Sequence, residues 1–403
     1  MTDAVPFANY QYEIYLRGMT GQRPARTLDW RKLERDAMNL LRQGPRGYIE
    51  GGAGLGETMR ANREAFDHWR LRPRMLRDVS ERSLKRTVLG TELKAPVLLA
   101  PIGVQTLAHP EGELAVARGA AEVGVPLVAS SAASHTIEQI AGELGEQARW
   151  YQLYWPRDRE LARSFVKRAE QAGYGAIVVT LDTWLLGWRP ADLSEAFLPF
   201  LWGEGNKNYL EDPVFRGLLE VPPEQDMQAA IGQWAWQFAN PQVTWEDLKW
   251  LREITELPIV LKGILHPDDA RLAVEHGAQG VLVSNHGGRQ VDGAIGAIDA
   301  LPEVVAAVEG RCEVLFDSGI RSGADALKAL ALGARAVLLG RPYMWGLALG
   351  GAEGVAEVLR SFLADLDLAM ALSGYANIDE VDMDALVAGS LVDPAVSRAL
   401  GLE

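Results

Sequence analysis

The segment SNHGGRQ at 284–290 holds an imidazole, two glycines and a guanidinium within a few positions of one another. Glycines at 287 and 288 permit a tight turn after an apolar run and leave His286 facing open space, as a general base requires. A satisfied core histidine is the alternative. His68, His109, His135, His266 and His276 stand in helical or loop contexts. Taking a proton from carbon creates an imidazolium that needs a nearby anion, and Asp182, at the end of AIVVTLDT, is the available carboxylate. A rim carboxylate bonded to backbone amides is the other reading of Asp182. Arg289 and Arg189 could bracket an anionic substrate, because a planar guanidinium bonds a carboxylate in bidentate fashion. A surface salt bridge is the alternative for both. Lys262, inside the apolar PIVLKGI, is expected to be a buried cation without a partner in an empty fold. Either it forms a Schiff base, as in a lysine aldolase, or it faces an electron-rich cofactor.

These residues must be held by regular elements, and the chain supplies a repeating one. Apolar runs at 96–104, 126–133, 148–155, 176–183, 258–264, 280–288, 313–319 and 336–342 read as strands buried on both faces. Between most of them lie helical segments closed by glycine, such as HPEGELAVARGAAEVG and SGADALKALALGA. Eight consecutive βα units predict an α/β fold, a closed (β/α)8 TIM barrel, rather than an open doubly wound sheet. Residues 1–95 read as a helical preamble, with a small hairpin around TVLGTEL, packed on the barrel. The barrel is expected over 96–380, and RSFLADLDLAMALSG reads as an amphipathic helix closing it. Residues 381–403 read as a short exposed tail. One long insertion after the fourth strand, 184–243, carries Trp184, Trp188, Trp202, Trp234 and Trp236. Its aromatic content argues for a lid rather than disorder.

Such a barrel carries its active site at the carboxyl ends of the strands. The polar residues there are Gln152, Tyr154, Thr180, Asp182, Lys262, Ser284, Asn285, His286, Arg289, Asp317 and Arg341. So many polar groups at one end imply a shared, ligand-filled cleft. The glycines of FDSGIRSG and LLGRP, with Arg321 and Arg341, stand where barrels commonly bind phosphate. The run GGAGLGE at 51–57 lacks GxGxxG spacing and a preceding strand, so it is no dinucleotide fingerprint.

Composition limits the partners. With 40 Lys plus Arg against 54 Asp plus Glu, the net charge of −14 argues against nucleic acid. Cys312 is the single cysteine, so no intrachain disulfide or thiolate cluster is expected, and no zinc-ligand spacing appears. Neither a signal sequence nor a long apolar span is evident, so a cytoplasmic protein with no membrane association is expected.

Through SNHGGRQ, LKGI, YQLY, TLDTW and FDSGIRSGADALKALALGARAVLLGRP, the chain resembles the FMN-dependent 2-hydroxy acid oxidases and dehydrogenases. NYQYEIYLRG, HWRLRPRML, LDTWLLGWRPADL, NYLEDPVF and GRPYMWGLALGG make it most similar to their lactate 2-monooxygenase branch. The resemblance implies that His286 is the base and Asp182 its partner. Arg189 and Arg289 would bind the substrate carboxylate, with Tyr48 and Tyr154 at the substrate, Tyr154 and Arg289 also serving catalysis. FMN would contact Ile102, Gly103, Ser130, Gln152, Thr180, Lys262 and Ser284, and its phosphate end Asp317, Gly319, Arg321, Gly340 and Arg341. Two departures stand out. Ala132 replaces a tryptophan of the glycolate oxidases, and Gly103 replaces an alanine of many oxidases, which should leave more room beside the flavin.

The implied reaction is oxidation of a small L-2-hydroxy acid, foremost L-lactate, by O2. Retention of the keto acid under the lid would give acetate, CO2 and water, whereas early release would give keto acid and hydrogen peroxide. A non-catalytic flavin-binding sensor is the rival of another class. A homo-tetramer or octamer is expected from the resemblance.

Overall fold

The computed structural model of the chain describes residues 6–389. Eight short parallel strands close on themselves in chain order: β1 (Val97–Leu99), β2 (Leu127–Ser130), β3 (Arg149–Leu153), β4 (Ile177–Thr180), β5 (Ile259–Ile264), β6 (Gly280–Val283), β7 (Glu313–Phe316) and β8 (Ala336–Leu339). The predicted (β/α)8 barrel is therefore the fold. Because both faces are buried, the strands read as near-continuous apolar runs. One face packs outward on the helices. The other fills the barrel with Leu98, Val128, Trp150, Val178, Val260, Leu282, Leu315 and Leu338.

The hairpin Arg86–Val88 and Thr91–Leu93 plugs the amino-terminal end of the barrel. Val88 and Leu93 join the interior cluster, and the Trp150 indole N–H donates to Thr91 Oγ1 at 3.1 Å. With that end stoppered, a ligand can enter only at the carboxyl ends of the strands.

Four helices precede the barrel: Asn9–Gly18, Trp30–Leu40, Gln43–Glu50 and Glu57–Glu64. Asp29 caps the second of them by accepting from the amides of Arg31 and Lys32. The last long helix, Arg341–Leu372, breaks at Gly350 and Gly351, and its second half buries Leu359, Phe362, Leu363, Leu366 and Met370. The start of the tail differs from the expected exposed end. Leu386–Ala388 pairs antiparallel with Trp69–Leu71, and Leu386 is buried. The rest of the tail, 390–403, lies outside the described residues. No helix among the described residues is long and apolar enough to cross a membrane.

The insertion between β4 and the helix Asp247–Ile254 is built from short helices, among them Pro190–Ser194, Lys207–Leu210 and Met227–Phe238. It has an aromatic core of its own. Phe200 stacks on Trp234 at 4.8 Å, and Tyr209 meets Phe165 and Phe215 edge-on. Of its tryptophans Trp234 is buried, whereas Trp188, Trp202 and Trp236 are exposed.

Candidate active site

A polar belt crosses the carboxyl ends of five consecutive strands. Ser130 is in register with Gln152, and Thr180 with Lys262. Ser130 Oγ donates to Gln152 Oε1 and Gln152 Nε2 donates to Thr180 Oγ1, each at 2.9 Å, while Lys262 Nζ donates to Ser284 Oγ at 2.8 Å. All five residues are buried. Lys262 is not the unpartnered cation expected from the sequence. Its Nζ lies 3.4 Å from Asp182 Oδ2 and 3.7 Å from Asp317 Oδ2. Burial would lower its pKa, but these carboxylates overcome that effect and raise it. An ammonium so paired is a poor Schiff-base nucleophile, which removes the basis of the aldolase reading.

A register shift falls between Lys262 and Ile264. Gly263 sits there at φ +106°, and a Cβ would lie 2.9 Å from the Cβ of Asp182. Only glycine fits this close approach.

His286 follows β6 at φ +57°, an uncommon conformation for a side chain with Cβ. Neighbouring groups hold it there. Its amide donates to Ser284 Oγ at 3.1 Å, and Ser318 Oγ accepts from the amide of Gly287 at 3.1 Å while donating to Asp317 Oδ1 at 2.7 Å. Asn285 and Asn62 exchange side-chain amide bonds at 2.7 Å, fastening this loop to the helix Glu57–Glu64. His286 Nδ1 meets Asp182 Oδ1 at 2.7 Å. Asp182 is thus no mere rim carboxylate, and among the described residues nothing hydrogen-bonds to the imidazole's Nε2.

Burial, together with the charges of Lys262 and Arg189, outweighs the pull of Asp182 and lowers the His286 pKa. The imidazole is therefore neutral near pH 7 and able to accept a proton. For Asp182, burial alone would raise the pKa, but the charges of His286 and then Lys262, with hydrogen bonds from His286 and Thr183, hold it well below the ordinary carboxylate range.

Opposite this pair stand two guanidinium groups. Arg189 is buried, with Nε donating to the Arg289 carbonyl at 3.0 Å and Nη2 to Gln290 Oε1 at 2.7 Å. Arg289 lies 5.1 Å from the Tyr48 ring centre, and its Nη1 donates to the Gly51 carbonyl at 2.6 Å. Burial, followed by the charges of Arg189 and Arg341, brings the Arg289 pKa down to about 9. A buried Arg289 so short of counter-charge favours an incoming anion. Gln290 organises this wall, since its Nε2 also donates to the carbonyls of Asp182 and Leu185.

Further along, Arg341 donates to the carbonyls of Gly287, Ile49, Glu50 and Gly51, and Arg321 lies over Trp345 at 5.0 Å. Burial and the neighbouring Arg341 bring Arg321 down to about 10. This end holds Asp317, Gly319 and Gly340, with the positive start of the helix Arg341–Leu372.

One cleft, open to solvent and lined both by the strand ends and by the insertion, joins these groups. Its wall contains Tyr48, Ile102, Gly103, Tyr154, Arg189, Lys262, His286, Arg289, Asp317, Gly319, Arg321, Gly340 and Arg341, with Leu186, Phe200 and Phe238 from the insertion. Ser130, Gln152, Thr180 and Ser284 are buried and do not line it, but the belt they form ends on Lys262, which does. Gly103 does not leave the room expected of it. A Cβ there would lie 2.7 Å from the Ala132 carbonyl oxygen, so neighbouring backbone occupies that space.

Sequence reasoning missed Thr183, Gln290, Ser318 and Asn62. Thr183 and Ser318 adjoin Asp182 and Asp317 and Gln290 follows Arg289, so adjacency was the available signal. Asn62 carried none, because its partner lies 223 positions away.

The donor set suits a flat, anionic, phosphate-bearing cofactor: a buried ammonium beside the cavity centre, a polar belt ending on that ammonium and two desolvated guanidiniums at one end. The profile of the FMN-dependent dehydrogenase family matches residues 37–388. The chain is 46% identical over 386 residues to an FMN-dependent alpha-hydroxy acid dehydrogenase, qulF, of Penicillium citrinum, covering 95% of this chain and 96% of that protein. To an L-lactate oxidase of Lysinibacillus sphaericus it is 41% identical, covering 93% and 96%. The crystal structure of a mandelate oxidase superposes with a TM-score of 0.80 at 41% identity, covering 90% of this chain and 98% of that one.

Proposed function

The chain belongs to the FMN-dependent dehydrogenase family and oxidises 2-hydroxy acids with FMN as cofactor; from that premise we propose that its substrate is a small L-2-hydroxy acid, foremost L-lactate, with O2 as the terminal oxidant. FMN, when bound, supplies the acceptor for two electrons. Lys262 would face it as the balancing positive charge, Ile102, Gly103, Ser130, Gln152, Thr180 and Ser284 would border it, and Asp317, Gly319, Arg321, Gly340 and Arg341 would hold its phosphate end.

The observation that carries the reading is His286 bonded through Nδ1 to Asp182 at 2.7 Å, in one cavity with Arg189 and Arg289. The two guanidiniums hold the substrate carboxylate, and Tyr48 and Tyr154 orient its hydroxyl end. Nε2 of His286 then takes a proton from the bound acid. Asp182 stabilises the resulting imidazolium without taking the proton itself. Tyr154, Phe200 and Phe238, packed on one another, give this part of the cavity an apolar wall.

The insertion over the cavity supports retention of the keto acid, with the balance lactate + O2 → acetate + CO2 + H2O. Likeness to L-lactate oxidase supports the second reading, lactate + O2 → pyruvate + H2O2. Quantifying acetate, pyruvate and peroxide from L-lactate in air decides between them. Acetate matching O2 consumed is expected, and stoichiometric pyruvate with peroxide would overturn retention. We further place the protein in the cytoplasm, which the lone Cys312 supports, and read it as a homo-tetramer or octamer, which the exposed Trp188, Trp202 and Trp236 support.

A further inference from the structure

Thr183 is buried beside the acid–base pair, yet the chemistry above assigns it nothing. Its Oγ1 donates to Asp182 Oδ1 at 2.8 Å, the same oxygen that accepts from His286 Nδ1 at 2.7 Å, and it lies 3.2 Å from that nitrogen. Other charged and titratable groups surround the pair: Lys262 on Oδ2 of Asp182, Asp317 on Lys262, and Arg189, Arg289, Tyr48 and Tyr154 across the cavity. Among the described residues, Thr183 is the one side chain sharing Oδ1 with the imidazole.

We propose that Thr183 is a positioning residue that sets the basicity of His286 by sharing Asp182 Oδ1. A hydroxyl donating to a carboxylate oxygen draws off part of its charge, so the same oxygen supports an imidazolium less strongly. The shared acceptor thus keeps His286 in the neutral, proton-accepting form. The inference deepens the reading of His286 as base and rests on it.

Thr183→Val keeps the shape and removes the donor. In that variant Asp182 Oδ1 serves the imidazole alone, and the His286 midpoint should move up. Below the new midpoint His286 is protonated and cannot act. Anaerobic flavin reduction by L-lactate should therefore fall about tenfold at pH 6, recover toward pH 9, and leave KM within about twofold. Thr183→Ser should restore the original profile, and Thr183→Ala serves if the valine variant folds poorly. ¹⁵N-histidine NMR of the FMN-loaded protein reads the midpoint directly, without turnover. An unmoved or lowered midpoint, or a rate loss equal at all pH values, overturns the proposal. If the wild type is reduced by no 2-hydroxy acid, the substrate reading fails, whereas the NMR titration still decides the role of Thr183.

Discussion

Replacing Lys262 by methionine tests the charge arrangement on which the floor of the cavity rests. The ammonium lies 3.4 and 3.7 Å from two buried carboxylates. At an effective dielectric of about 20, each contact represents roughly 4–5 kcal/mol of gross attraction, offset by desolvation of the ammonium. Removing one member of such a cluster costs about 3–5 kcal/mol, because the remaining charges lose their counter-ion. With an unfolding entropy of about 2.1 cal/mol/K per residue, the 403 residues give about 0.8 kcal/mol/K, so Tm should fall by about 4–6 °C.

The sign with pH follows from the two shifts. Asp182 is lowered, so its contribution is present above the ordinary value of 3.8 and lost as pH falls. Lys262 is raised, so its contribution is present below the ordinary 10.5 and lost as pH climbs through the higher folded value. The deficit of the methionine variant should therefore be widest between these limits and narrow at acid pH, where the orphaned carboxylates take up protons. Scanning calorimetry on flavin-stripped protein, paired with the loaded enzyme, separates this effect from cofactor loss. A variant melting within a degree of wild type at pH 7, or an equal deficit at pH 3, would refute the reasoning.

Burial and the neighbouring Glu50 push Glu34 up to about 7 in the hollow it shares with Arg321 and Arg341, where we place the FMN phosphate. A bound phosphate adds negative charge and raises it further, so FMN binding takes up a proton and Kd weakens above pH 7 by up to about tenfold per unit. Fluorescence titration of apoprotein with FMN should show this slope, and Glu34→Gln should flatten it; a flat wild-type profile counts against the idea. Gln290→Leu removes the acceptor of Arg189 and the donor to the carbonyls of Asp182 and Leu185, and a lost bond to a charged group is worth about 1.5–3 kcal/mol. KM for the acid should rise at least about tenfold, with a smaller change in the limiting rate of flavin reduction; an unaltered KM would exclude Gln290 as the support of Arg189.

The barrel was legible because each strand is buried on both faces, which forces the apolar runs that end in Thr180, Lys262 and Ser284. His286 was legible from its glycine turn. The surroundings of Lys262 were not, because Asp182 is 80 positions away and meets it across a neighbouring strand end. Tyr48 could be placed only by resemblance, since nothing local in PRGYIEGG indicates that a helix outside the barrel leans over its mouth. The Gly103 expectation failed for a similar reason: which backbone fills the gap beside a glycine depends on how two separate loops meet.

The carbonyl of Gly51 is one acceptor with two claimants, Arg289 beside Tyr48 and Arg341 at the start of the last long helix. An anion that draws Arg341 away would leave this oxygen wholly to Arg289, so the two ends of the cleft meet at a single peptide unit.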